Sequence, residues 1–196
     1  MKITAIKAQV KNPDRVSVYV DDKYAFSLNQ QQLLEQKIRL GLEVDEAQLA
    51  VFKKASDFGK MYERVLNFIT IRPRSRKEVE DYCWRKKFDK DDCQVILNKF
   101  IERGYVNDRT FAKAWVESRR LTKAVSERRL RLELRQKGVS DDIVNEVLDE
   151  SEYNELTALK EIIAKKRRRY PDEQKFMQYL ARQGFSYDDI RRTLSE

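Results

Sequence analysis

No histidine occurs among the 196 residues, which removes the usual general base, the commonest zinc ligand and the side chain that titrates near neutrality. There are two cysteines, Cys83 and Cys93. Nothing near them completes a four-ligand metal site, and one pair cannot staple a chain of this length, so a reducing, cytoplasmic setting is expected. Glycine is scarce, with five in the chain. No Gly-x-Gly pair and no Gly-Lys-Ser/Thr occurs, which excludes a glycine-rich phosphate loop. No run approaches the roughly 20 apolar residues that span a bilayer. The opening Met1-Lys2-Ile3-Thr4-Ala5 alternates where a signal peptide would be continuously apolar. Catalysis, cofactor binding and membrane insertion all lack their usual materials, so no enzyme, no cofactor and no membrane partner is expected.

What the chain has is charge. Lysine and arginine number 41 against 33 aspartates and glutamates, a net of +8. The excess is clustered: residues 64–87 hold 8 basic and 3 acidic groups, and residues 113–137 hold 9 and 3. Such blocks favour a polyanion or an acidic protein surface, although any one of them could be a solvated helix face.

The first 28 residues read as strands. Val16, Val18 and Val20 alternate with polar neighbours, Asn12-Pro13-Asp14 and Asp21-Asp22-Lys23 supply turns, and Tyr24, Phe26 and Leu28 are expected on one face of a third strand. From Asn29, a helix cap, the period becomes helical, and Gly41 breaks the first helix. Asp45-Glu46-Ala47-Gln48 resembles a capping box ahead of Leu49, Phe52, Ala55 and Gly59.

Beyond about residue 60 the chain repeats. Superposing Phe88, Val139 and Phe185 aligns Ser75, Ser126 and Asp172 as N-caps, then Val79, Leu130 and Phe176, then Cys83, Leu134 and Leu180 as a buried helix face. One residue past the anchor stand Asp89, Ser140 and Ser186, again N-caps, and further on Leu97, Leu148 and Leu194. An amphipathic segment precedes each pair: Val65, Leu66 and Ile69; Phe111, Trp115 and Val116; Leu156, Leu159 and Ile163. Each unit is thus expected to be three helices, and three units to stack as an elongated array. The expected divisions are 1–58 (β-rich segment plus helix), 59–107, 108–151 and 152–196. Gly104, Gly138 and Gly184 fit C-caps followed by an apolar residue, with Asp108 capping the helix after Gly104. Unit one carries Lys87 at the equivalent place, which requires a different turn or a lysine at positive φ.

The acidic pairs Asp91-Asp92, Asp141-Asp142 and Asp188-Asp189 each follow an N-cap, where acids stabilise a first helical turn. Consecutive helical residues diverge by about 100°, which makes each pair a poor chelate. Trp115 and Cys83 read as core residues. The basic residues form a different pattern. Arg128, Arg131 and Arg135 fall within about 60° of helical arc, opposite Leu130 and Leu134. Arg119, Arg120 and Lys123 precede that helix. Arg72, Arg74, Arg76 and Lys77 take the corresponding place in unit one, and Lys165, Lys166, Arg167, Arg168 and Arg169 in unit three. Arginine predominates, which suits forked recognition of phosphate or carboxylate.

Two stretches, Arg72-Pro73-Arg74-Ser75-Arg76-Lys77-Glu78-Val79 and Gly104-Tyr105-Val106-Asn107-Asp108-Arg109-Thr110-Phe111-Ala112-Lys113-Ala114-Trp115, resemble the RecX family, bacterial regulators of the recombinase RecA. Leu132-Glu133-Leu134-Arg135-Gln136-Lys137-Gly138-Val139 supports them, and the segment Gly41 to Val44 suits longer members. The likeness spans residues from about 60 to 196, with departures at Lys87 and in the run 165–169. It implies a mainly α, curved array of three-helix units without catalytic activity. Such an array would lodge in the groove of the RecA–single-stranded-DNA filament and restrain ATP hydrolysis and strand exchange. The implied partners are RecA and that filament, with weak direct DNA binding and a monomeric protein. The competing reading is an autonomous DNA-binding regulator using helix-turn-helix-like pairs. Against it, no basic helix face carries the Asn/Gln/Arg set suited to base-edge readout.

Overall fold

Residues 3–29 fold as an antiparallel meander in the computed structural model, which describes residues 1–10, 12–122, 125–151 and 153–195. Strands β1 (Ile3–Ala8), β2 (Arg15–Val20) and β3 (Lys23–Asn29) lie in sequence order. Asp21 and Asp22 both take positive φ, the backbone a two-residue hairpin loop needs to match strand twist. Helices follow: α1 (Gln30–Glu35), α2 (Glu46–Thr70), α3 (Arg76–Arg85), α4 (Lys90–Glu102), α5 (Asp108–Thr122), α6 (Glu127–Gln136), α7 (Asp141–Asp149), α8 (Glu155–Lys166), α9 (Glu173–Arg182) and α10 (Tyr187–Ser195), with a 3₁₀ turn at Arg167–Arg169. The chain divides into two compact units, Met1–Phe68 with Phe88–Ile96, and Ile69–Lys87 with Leu97–Glu196.

In the first unit Ile3, Val18, Val20, Phe26 and Leu28 close over Ile38, Val44 and Phe52. Tyr24 does not join them. Tyr19 pairs with Tyr24 and Val18 with Phe26, so Ala25 is an extra residue on β3. This bulge breaks the two-residue period and leaves Tyr24 exposed, against the expected shared face. Both expected caps are present. Asn29 and Gln32 form a reciprocal capping box, and Gln48 N–H donates to Asp45 at 2.7 Å while Asp45 N–H donates back to the Gln48 side chain. The helical segments expected on either side of Gly59 are one helix of 25 residues. Gly59 is tolerated inside it because a Cβ there would overlap the Gln32 amide, which donates to the Ala55 carbonyl. Arg15 is buried, donating to Glu63 at 2.6 Å and to the Ser27 carbonyl at 2.7 Å.

In the second unit the helices come in threes, each set with its own core. Phe111, Val116, Leu130, Leu134, Val144 and Val147 pack α5–α7 together, and Leu159, Ile162, Phe176, Leu180 and Ile190 pack α8–α10. Tyr153 lies against both cores, its hydroxyl donating to the Val125 carbonyl and accepting from Val125 N–H. The aligned rows are inside: Val79, Leu130, Phe176, Leu134 and Leu180 are fully buried, and Cys83 nearly so. Each such aliphatic or aromatic side chain contributes about 1.5–3 kcal/mol on burial.

The aligned N-caps hold. Ser75, Ser126 and Asp172 have extended backbone and accept from the N–H of Glu78, Arg129 and Lys175. Asp89 and Ser186 accept from first-turn N–H groups in the same way, whereas Ser140 occupies the N-cap position without a side-chain bond. The cap of α5 is Asn107, which accepts from Arg109 and Thr110 N–H; Asp108 is already helical. The Asp108 carboxylate serves another helix, accepting from Arg76 N–H at the start of α3 at 2.8 Å. Lys87 is a lysine at positive φ, 55°, one of the two alternatives its sequence position left open.

The middle helices α9, α6 and α3 meet end to end. Ser126 N–H, at the start of α6, donates to the Gln183 carbonyl that ends α9, at 3.2 Å. The Ser75 hydroxyl, at the start of α3, donates to the Lys137 carbonyl that ends α6, at 2.7 Å. Each junction satisfies a terminal carbonyl with a group from the next helix start and sets unlike ends of two helix dipoles together. Glycine makes the approach possible. A Cβ on Gly138 would stand 2.6 Å from Lys77 Cβ, and one on Gly184 would overlap Ser126 Oγ.

Candidate functional site

Helix α6 sorts its residues by charge. Ser126 starts it, Glu127 complements the positive end of the dipole and Arg135 the negative end. Leu130 and Leu134 are buried, so Arg128, Arg131 and Arg135 take the outer face on a helix fixed at both ends. They line a cleft of about 640 Å³ together with Arg129 from the same helix, Arg182 from the end of α9, and the acids Glu127 and Glu155. Arg131 is held by Glu127 at 2.7 Å and also donates to Asn145; Arg135 is held by Asp141 at 2.6 Å. Arg128 and Arg182 make no ion pair among the described residues. Two uncommitted guanidiniums thus stand in one cleft with two whose surface pairs contribute little and exchange readily.

The acids of this region differ in kind. The Asp141 carboxyl is held below its ordinary range by its hydrogen bond from Arg135. The Glu155 carboxyl is pushed up by burial, with the nearby Glu127 charge adding to the effect and a hydrogen bond from Glu127 N–H opposing it. One wall of the cleft therefore holds a carboxylate that its surroundings disfavour.

The other expected basic residues are placed less uniformly. Arg119 is turned inward, donating to Glu133 at 2.8 Å with its guanidinium 4.8 Å from the Trp115 ring centroid. Trp115 is at the rim of the α5–α7 core, with Nε1 donating to Glu133 at 3.0 Å and Lys137 Nζ 5.2 Å from the ring. Arg72 forms a forked pair with Glu78, which also accepts from Lys137 at 2.7 Å. Burial alone would raise the carboxyls of Glu78 and Glu133, but hydrogen bonds from Arg72 and Lys137, and from Arg119 and Trp115, hold both below the usual range. These are internal ties between helices. Arg74 is half-buried, and burial and then Arg72 lower its pKa. Arg76 and Lys77 are exposed and pair along α3 with Glu80 and Asp81. Arg120 pairs with Glu117. Lys123 lies outside the described residues.

In the third set, Lys165 and Lys166 close α8 and Arg167, Arg168 and Arg169 form the following turn. Cations there complement the negative end of a helix. Lys165 pairs with Glu161 and Arg167 with Glu173, leaving Arg168 and Arg169 exposed. The sequence alignment missed Arg182, although it falls at the same place in its unit as Arg85 does in unit one. The acidic pairs sit in the first turns of α4, α7 and α10, and no cluster of three potential metal ligands occurs among the described residues. No helix among them is long and apolar enough to cross a membrane.

A small meander followed by tandem three-helix sets defines a helical-repeat protein. Family models agree in detail: "Regulatory protein RecX N-terminal domain" matches residues 1–45, "RecX, second three-helix domain" residues 107–148 and "RecX, third three-helix domain" residues 152–194. The regulatory protein RecX of Bacillus pumilus (strain SAFR-032) is 32% identical over 99% of this chain and 76% of its own length. A crystal structure of a regulatory protein RecX superposes with a TM-score of 0.75 at 27% identity, covering 100% of this chain and 99% of the other. The RecX from Lactobacillus salivarius gives 0.59 at 28% identity, over 72% and 96%. The chain belongs to the RecX family of regulatory proteins.

Proposed function

We propose that this protein is a non-enzymatic modulator of RecA that binds the RecA–single-stranded-DNA filament and restrains its ATP hydrolysis and strand exchange. In this reading a monomer acts in the cytoplasm, touches DNA weakly on its own, and uses helical units divided at 59–107, 108–151 and 152–196. The observation that carries it is the α6 face, where Arg128, Arg131 and Arg135 line one cleft with Arg182 in a chain of this family. A filament presents phosphates and acidic side chains at regular intervals, and guanidiniums on a fixed helix suit both.

The test is the triple substitution Arg128→Ala, Arg131→Ala, Arg135→Ala, assayed as inhibition of RecA ATP hydrolysis on single-stranded DNA at two salt concentrations. Leu130 and Leu134 stay packed, so the melting temperature should stay close to the parent's. Inhibition should fall sharply. If the three contacts are to phosphates, the salt dependence of log affinity should flatten by about 2, at roughly 0.7 per single-strand phosphate. A variant that melts like the parent and inhibits fully at both salts removes α6 from the interface. A parent protein that leaves RecA unaffected but shifts one duplex sequence selects the autonomous DNA-binding regulator instead.

A further inference from the structure

Trp84 lies on α3 with 81% of its surface exposed, against 55%, 56% and 52% for the exposed tyrosines Tyr24, Tyr105 and Tyr187. Its ring and Nε1 have no partner among the described residues. Trp115 shows the usual solution in the same molecule: its ring edges a core, its N–H reaches Glu133 and two cations flank it. Tryptophan is the side chain whose burial stabilises most, so leaving one in water gives up stability that a less exposed position would recover.

The surroundings of Trp84 are charged. One turn back on α3 are Glu80 and Asp81; the helix ends at Arg85, and Lys86, Lys87 and Phe88 follow. The two acids are already matched, Glu80 with Arg76 at 3.9 Å and Asp81 with Lys77 at 3.3 Å. The three cations that follow the ring, Arg85, Lys86 and Lys87, enter no ion pair among the described residues; Lys86 instead lies 5.8 Å from the Tyr82 ring. A flat, unpartnered ring beside unmatched positive charge is the pairing that holds a base by its face and the adjoining backbone by its phosphate. A protein hot spot is normally set among apolar neighbours that keep water out. Here the residues one turn back on α3 carry charge, as do the three that follow the ring.

The repeat strengthens the case. Counting back from the aligned Phe88 and Val139, Trp84 takes the place of Arg135 and Lys77 that of Arg128. The end of α6 joins the start of α3 through Ser75 and Lys137. A strand that followed the arginine face of α6 past this junction would reach the equivalent helix, which bears Trp84, and both guanidinium planes and indole rings stack on bases. A duplex cannot use the ring in this way, because its base faces are already covered by their neighbours. We propose that Trp84 is a stacking platform for an unpaired base, so that α3 and α6 together hold single-stranded nucleic acid. This rests on the direct DNA contact within the proposed function and identifies the strand form it accepts.

The test uses the full chain and a labelled oligothymidylate of about 16 nucleotides, with a duplex of equal length as control. By fluorescence anisotropy, Trp84→Ala should weaken binding of the oligothymidylate by about tenfold and of the duplex by less than about twofold, at an unchanged melting temperature. Trp84→Phe should recover most of the loss. In a Trp115→Phe background the remaining emission should be quenched on adding the oligothymidylate. Unchanged affinity of Trp84→Ala for the oligothymidylate overturns the proposal, as does an equal loss on the duplex. If Trp84→Ala binds the oligothymidylate like the parent but no longer inhibits RecA, the ring meets protein; the platform fails and the filament reading stands. If it loses the oligothymidylate while the parent leaves RecA unaffected, the platform stands and the filament reading fails.

Discussion

Glu155 shows how a single residue can carry opposed demands. Burial, reinforced by Glu127, raises its folded-state pKa above the ordinary carboxylate value. A carboxyl raised in this way contributes stability below its unfolded pKa and loses it as pH rises through the folded value, so at neutral pH the ionised group costs stability. Glu155→Gln should therefore melt higher than the parent at pH 7, and the gap should close as the pH is lowered to about 4. The same change removes a negative charge from the arginine-lined cleft and should tighten binding of the oligothymidylate. Denaturation at both pH values and a binding titration check the two halves. At this scale the sequence was partly legible. Ser75, Ser126 and Asp172 announce themselves because a short polar side chain ahead of an apolar helical row has one efficient use. Asn107 and Asp108 could not be told apart as caps, since either can fill the role and only the fold sends Asp108 to α3. Tyr24 was misplaced because a bulge leaves no mark in a two-residue alternation.

At the scale of elements, the glycines separate two costs that are usually mixed. Gly104, Gly138 and Gly184 all take positive φ, at 74°, 77° and 99°. A Cβ on Gly104 would meet nothing within 4 Å, whereas one on Gly138 or Gly184 would strike the neighbouring helix start. Gly104→Ala should thus cost only the backbone strain of about 1–2 kcal/mol. Gly138→Ala and Gly184→Ala should cost clearly more, because the junction must open as well. Urea denaturation of the three variants measures the difference. The repeat was visible in the spacing of caps and apolar rows, and so was the presence of a glycine at the close of each later unit. What that glycine approaches was not visible, because contacts across 61 and 58 residues of chain, Gly138 to Lys77 and Gly184 to Ser126, leave no local pattern. The junctions also use some of the recurring basic residues as packing. The aliphatic stem of Lys77 stands against Gly138 and Arg129 Cβ against Gly184, while their charges pair with Asp81 and Glu133. Recurrence of basic residues ahead of each middle helix therefore reflects stacking as well as any partner, and Arg72 and Arg119 are examples of basic residues consumed internally.

For the molecule as a whole, the response to acid follows from its internal carboxylates. Glu78 and Glu133 are partly buried, which by itself would raise their pKa, but hydrogen bonds from Arg72, Lys137, Arg119 and Trp115 depress both below 4.5. Depressed carboxyls contribute stability above their unfolded pKa and lose it as pH falls through the folded value. The protein should accordingly lose stability as the pH drops below about 4.5. Glu78→Gln with Glu133→Gln should be less stable at neutral pH and show a flatter acid limb, measured as urea midpoints across that range. That the chain is basic, helical and repetitive could be read from composition and periodicity alone. The site was legible only in part, because a helical wheel places Arg128, Arg131 and Arg135 on one face but brings no residue from another unit beside them. Arg182 arrives through the junction of α9 with α6.

That junction gives the array a direction. Each middle helix presents a small polar cap at its start, and α6 and α9 have a glycine just past their ends, where the next helix start docks. Asp172 caps α9 by accepting from Lys175 N–H, but its carboxylate cannot donate to a helix-ending carbonyl as the Ser75 hydroxyl does. Unit one closes its middle helix with Lys87, also at positive φ, and so carries a Cβ where the other two junctions have glycine. The end of α3 therefore lacks the bare Cα that lets a helix start approach the ends of α6 and α9.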